Sequence, residues 1–209
     1  MRNLFLLAGI GLAAACMVLP LPGWMTPYAF TGHMVRHTGL LLLAGPSIAL
    51  GISGKGRGSG IVRAFSGRVA RYPFFAWLAG VGLMWIWHLP ALYNSMSMAG
   101  MYGLPLLHGL SLLAGGILFS WPVLMPYEAL RLPALKAVLY LSSACVCCSL
   151  LGLLITFAPS GTFKGVSPED QQAGGLIMWV PCCFIYLSAS MYLLVKWFSD
   201  REGWLRASS

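Results

Sequence analysis

The sequence predicts an all-α fold, a polytopic transmembrane helix bundle of six spans with both termini cytoplasmic, and three observations predict it. The 209-residue chain is 58% hydrophobic and only 9% charged, too little polarity to cover a soluble globule. Six apolar stretches approach the roughly 20 residues a helix needs to cross the hydrocarbon layer, at 4–21, 34–50, 73–89, 104–125, 134–158 and 173–197. Lysine and arginine gather in a few short loops, as topology signals do. The net charge of +8 therefore reads as orientation and not as a nucleic-acid surface. The segments between spans are too short or too polar to fold alone, so the chain reads as one transmembrane domain over 1–209, and no period of 20–50 residues repeats.

The first span begins after Arg2. Its Ala13-Ala14-Ala15-Cys16 also resembles a signal-peptide or lipoprotein cleavage box, but the apolar run continues to Leu21, which favours an uncleaved helix. The loop at 51–72 carries Lys55, Arg57, Arg63, Arg68 and Arg71 without an acid, and the loop at 91–103 carries no charge. The basic loop marks the cytoplasmic side, with Arg2, Arg131, Lys136, Lys196, Arg201 and Arg206. Segments 22–33, 91–103 and 159–172 are then external, and Lys164 is their only base. Gly54-Lys55-Gly56-Arg57-Gly58-Ser59-Gly60 lacks phosphate-loop spacing and reads as a flexible linker whose bases can meet anionic lipid headgroups.

On this topology all four histidines face one side. His33 and His37 open the second span four residues apart, on one helical face; His88 ends the third, before Pro90; His108 lies one turn inside the fourth. Imidazole suits copper, zinc, iron and nickel, and the thioethers of Met25, Met34, Met96, Met98 and Met101 favour Cu(I). The plainer reading stands beside this one: a histidine at a helix end is often an interfacial polar group, Trp85, Trp87 and Tyr93 fit an aromatic belt, and methionine fills apolar segments. Arg36, near the membrane entry, either pairs with Asp170 or Glu169 or snorkels to headgroups.

Ser167-Pro168-Glu169-Asp170 reads as the start of the last helix, with Ser167 at the N-cap, Pro168 at the first helical position and two carboxylates at the positive dipole end. Asp170 is also a candidate ligand, or an acceptor that orients an imidazole. Cys145, Cys147 and Cys148 lie midway along the fifth span and Cys182 and Cys183 midway along the sixth, so antiparallel neighbours would bring thiols to one depth. A thiolate pair there would bind Cu(I) and form a transfer relay; inert, buried cysteine is the alternative.

Three blocks resemble the CtaG family of multi-pass bacterial cytochrome c oxidase assembly factors: Gly32-His33-Met34-Val35-Arg36-His37 running into Leu40-Leu41-Leu42-Leu43-Ala44-Gly45-Pro46; Trp85-Ile86-Trp87-His88-Leu89-Pro90-Ala91-Leu92-Tyr93; and Ser167-Pro168-Glu169-Asp170-Gln171-Gln172 followed by Gly175-Leu176-Ile177-Met178-Trp179-Val180-Pro181. His108 and Trp121-Pro122-Val123-Leu124 fit between the last two. The resemblance implies a bacterial plasma-membrane protein of haem-copper oxidase biogenesis that supplies copper to the catalytic subunit, with a periplasmic copper chaperone as a further candidate partner. His33, His37, His88, His108 and Asp170 match the family's polar pattern; Met34, Met96, Met98, Met101, Cys147, Cys148, Cys182 and Cys183 are accessory candidates. Members are usually longer, with a further amino-terminal span, so the first helix here is expected to match their second. Cys182 and Cys183 stand where small, glycine-like residues are usual, which makes a cysteine relay particular to this chain.

The expected function is that of a non-enzymatic assembly factor that binds copper externally. A haem or quinone redox protein and a copper permease are the alternatives. No hydrolytic triad or paired acid/base carboxylates appear.

Overall fold

The structure, a computed structural model, describes residues 2–19, 28–55, 59–98 and 104–207. Among them every regular element is helical: α1 (Arg2–Val18), α2 (Ala29–Thr38), a π-helical segment (Gly39–Ala44), α3 (Gly45–Lys55), α4 (Gly60–Arg71), α5 (Pro73–Trp87), α6 (Pro90–Met98), α7 (Leu104–Leu124), a 3₁₀ turn (Glu128–Leu130), α8 (Ala134–Thr156) and α9 (Pro168–Ala207).

Among the described residues four helices are long and apolar enough to cross a membrane: Ala29–Ser53, which runs from α2 into α3, Leu106–Leu124, Ala134–Thr156 and Pro168–Asp200. The pair α4 and α5, bent by 85°, supplies a fifth candidate. The six expected spans thus resolve into four or five candidates, and helix length explains the difference. The 17 residues of α1 rise about 25 Å and the 15 of α5 about 22 Å, against a hydrocarbon layer of roughly 30 Å.

The bend is written at Tyr72-Pro73. Proline suits the first turn of α5, but its ring disfavours helical geometry in the residue before it, and Tyr72 sits at φ −134°, ψ 61°. Consequently 60–71, expected as part of a loop, forms the separate helix α4. Its Val62, Phe65 and Val69 pack on Trp121 and Met125, Trp121 Nε1 donates to the buried Ser66 Oγ at 3.1 Å, and Arg63, Arg68 and Arg71 are exposed. The segment at 91–103, expected as an external loop, is likewise helical where α6 lies. There Asn94 Nδ2 donates to the Thr162 carbonyl at 3.1 Å and Asn94 Oδ1 accepts from Lys164 N at 2.8 Å, which ties α6 to the turn between α8 and α9.

The π-helical segment follows from Pro46, which has no N–H for the Leu42 carbonyl, so the preceding turn widens. Just after it α3 meets α7 backbone to backbone. A Cβ on Gly45 would lie 2.7 Å from the Gly116 carbonyl carbon, so any larger residue would force these helices apart. α8 and α9 pack along each other, α9 also covers α2, and α1 lies on α3. The polarity pattern is inverted relative to a soluble protein. Leu139, Phe157, Phe184 and Val195 are exposed, whereas His37, His88, His108, Asp170 and Gln171 are buried, as hydrocarbon surroundings require.

Candidate metal centre

One turn of α2 separates His33 from His37, so both imidazoles leave the same face, with ring centroids 4.7 Å apart. α7 brings His108 against them: its ring stacks on His33 at 4.9 Å and lies 4.4 Å from His37, with Nε2 to Nε2 at 2.5 Å. The ligand atoms of His33, His37 and His108 all fall within 4.8 Å of one another. Two nitrogens across one ion, each bonded at about 2.1 Å, can be at most ~4.2 Å apart, so a small inward rotation lets all three share a metal.

Two details suit coordination. His37 Nδ1 is buried without a hydrogen-bond partner, an orphan that costs free energy unless something binds that ring. His88, at the end of α5, has its ring 4.5 Å from His37, and its Nδ1 lies 2.6 Å from the Met84 carbonyl. A carbonyl can only accept, so Nδ1 carries the proton and Nε2 keeps its lone pair, the arrangement usual for a metal-ligating histidine. That Nε2 stands 3.0 Å from Met34 Sδ, so an accessory thioether joins the group. Trp87 fixes His108 from the side: its ring packs edge-on at 4.8 Å, and its Nε1 donates to Ser111 Oγ, which donates to the His108 carbonyl.

Asp170 has other partners. Its Oδ2 accepts from Phe30 N at 2.9 Å, and its Oδ1 from Thr31 N at 2.8 Å and Thr31 Oγ1 at 2.7 Å. The buried carboxylate caps the first turn of α2, satisfying donors that a helix start leaves orphaned. Gln171 beside it donates to the Ile155 and Ala158 carbonyls at the end of α8. The Ser167 to Gln171 turn thus clamps two helix ends and sets where α2 begins. Ser167 itself caps α9, accepting from Asp170 N at 3.2 Å. Arg36 turns away from both acids: its Nη2 donates to the Leu19 carbonyl at 2.8 Å.

The thiols do meet. Cys145 Sγ lies 3.5 Å from Cys183 Sγ, Cys148 and Cys182 are buried in one core cluster, and Cys148 Sγ points at Met84 Sδ at 3.6 Å. Cys147 is half-buried on another face of α8. Met25 and Met101 lie outside the described residues, as do the side chains of Met96 and Met98. Met84 was not anticipated. The signal was available, since Met84 precedes His88 by four residues on one helical face, as Met178 precedes Cys182.

Helices of membrane length and a buried group of imidazoles, with every regular element helical among the described residues, define a membrane protein whose core holds residues able to ligate a metal. The chain belongs to the cytochrome c oxidase caa3 assembly factor family, whose family model matches residues 1–200. That match extends beyond the three blocks on both sides and carries the class of function, an oxidase assembly factor. Comparison with curated proteins and with solved structures gives no match.

Proposed function

We propose that this chain binds copper at the histidine group, on the external side of the bacterial plasma membrane, and helps deliver it to the catalytic subunit of a haem-copper oxidase. The observation that carries the proposal is the convergence of His33, His37 and His108, with His88 and the Met34 thioether against them, inside a family of oxidase assembly factors. Mixed imidazole and thioether surroundings favour copper over zinc. Half-buried His33 leaves the group reachable from one end, which suits transfer by ligand exchange to the oxidase subunit or from a periplasmic chaperone. The protein acts as a carrier and not as an enzyme in this reading. Asp170 serves it by holding α2, and the accessory thioether is Met34.

The arrangement in the membrane is part of the proposal. With α1 and the α4–α5 pair each crossing once, six spans put both termini in the cytoplasm and the exposed arginines of α4 at anionic headgroups. Neither alternative gains from the geometry. A haem needs a slot of several hundred Å³, whereas the cavity beside His37 is about 10 Å³. A permease needs polar groups through the full depth.

Copper content of the purified protein tests the proposal, with His33, His37, His88 and His108 together changed to alanine. The nitrogen-bound copper, read by copper X-ray absorption, is expected to fall by at least about tenfold. Wild-type copper content in that variant, folded as judged by its helical circular dichroism, would contradict it.

A further inference from the structure

A second group of soft ligands lies beneath the histidines. Asp170 on α9 is bonded to Phe30 on α2, so the two helices are level there. Counting down at 1.5 Å per residue puts His37 about 10 Å below Phe30 and Cys182 about 18 Å below Asp170. Cys182 is thus one step, roughly 7 Å, deeper than His37. Between them lies a cavity of about 10 Å³, room for one water-sized sphere, lined by His37, Thr38, Met84, Met178 and Cys182 among others. Cys148, Cys182, Met84 and Tyr186 lie in one buried cluster, Cys148 Sγ is 3.6 Å from Met84 Sδ, and Cys182 lines the cavity together with Met84. At a metal–sulfur bond of about 2.3 Å, sulfurs 3.6 Å apart subtend roughly 100° at a shared ion, an ordinary coordination angle.

We propose that Cys148, Cys182 and Met84 form a second, buried Cu(I) site, filled from the histidine group by ligand exchange through this cavity. Met84 links the two: its carbonyl orients His88 while its thioether faces Cys148. Thiolate and thioether select Cu(I). The charge balances, since one Cu(I) enters as one thiol proton leaves, and a neutral complex replaces a neutral thiol where burial of net charge is expensive. The site is an end point. The next cavity inward, about 120 Å³, is lined by Leu41, Phe119, Ser120, Val123, Leu141 and Ile185 among others, and its lining contains no sulfur or imidazole ligand. Copper parked there is held back from the surface until the outer site empties. The filling route rests on the proposed outer site; the deep site itself does not.

The test loads the full-length protein in lipid nanodiscs with Cu(I) under anaerobic, reducing conditions and reads stoichiometry and copper X-ray absorption. Cys148→Ser/Cys182→Ser is expected to hold about one Cu(I) per chain fewer than wild type, with its copper–sulfur scattering reduced and copper–nitrogen scattering kept. His33→Ala/His37→Ala/His108→Ala is expected to lose the copper–nitrogen scattering and to reach the wild-type copper–sulfur scattering only on longer incubation, because the deep site then lacks its entry ligands. Unchanged stoichiometry and sulfur scattering in the cysteine variant overturn the deep site, whereas unchanged nitrogen scattering in the histidine variant overturns the outer one. A second measurement needs no variant. Cu(I) is expected to protect Cys148 and Cys182, but not Cys147, from a membrane-permeant maleimide read by mass spectrometry; equal labelling with and without copper also overturns the deep site.

Discussion

Asp170 shows how much a single side chain can settle at a distance. Its carboxylate accepts three hydrogen bonds from Phe30 and Thr31, and it thereby fixes the first turn of the helix that carries His33 and His37. Asp170→Ala leaves two backbone donors of α2 buried and unpaired, and is expected to cost about 2–3 kcal/mol in denaturant unfolding of the purified protein. Its copper X-ray absorption is expected to match wild type. Wild-type stability with a changed copper spectrum would instead make Asp170 a ligand. The local half of this motif was legible in the sequence, because capping by Ser167 and Pro168 depends on neighbours only. The partner of Asp170 was not, since Phe30 lies 140 residues away and no periodicity reports such a pairing. Arg36, left open between an acid and the headgroups, takes neither: the packing of α1 on the π-helical segment and α3 puts the Leu19 carbonyl in its reach.

At the scale of elements, the informative case is α4. Its arginines read as loop charges, and so they masked an amphipathic pattern that the packing of Val62, Phe65 and Val69 on Trp121 makes plain. Pro73 did signal the break, but its meaning as an 85° turn depends on α4 having a face to bury. The Ser66 to Trp121 hydrogen bond pins that face. Trp121→Phe is expected to loosen α4 by about 0.5–1.5 kcal/mol, seen as faster amide exchange across 60–71 with α7 unaffected. Exchange unchanged in α4 would show that apolar contacts alone hold it. A closer constraint operates where α3 crosses α7. Gly116→Leu would drive a side chain into the Leu41 backbone, and an unfolding cost of about 1–3 kcal/mol or more is expected.

For the whole molecule, hydropathy made the helical class legible, because hydrocarbon allows a backbone few other solutions. The number of crossings was less legible, since α1 and α5 are each short and only packing shows what they cover. Reporter fusions check the six-span proposal: a carboxy-terminal fluorescent protein is expected to mature in the cytoplasm and alkaline phosphatase fused after Ser95 to be active outside. An inactive phosphatase there would contradict that topology. Spans and charges gave the expectation that the four histidines share one side of a membrane; that their rings touch comes from α2, α5 and α7 converging beneath the Asp170 clamp. The central claim is delivery of copper from this group. Its most direct test is the copper content of the oxidase catalytic subunit isolated from cells whose only copy of this protein carries His37→Ala. The account predicts a subunit with its haem but depleted of copper, at wild-type levels of the variant protein; a subunit with full copper in those cells would contradict it.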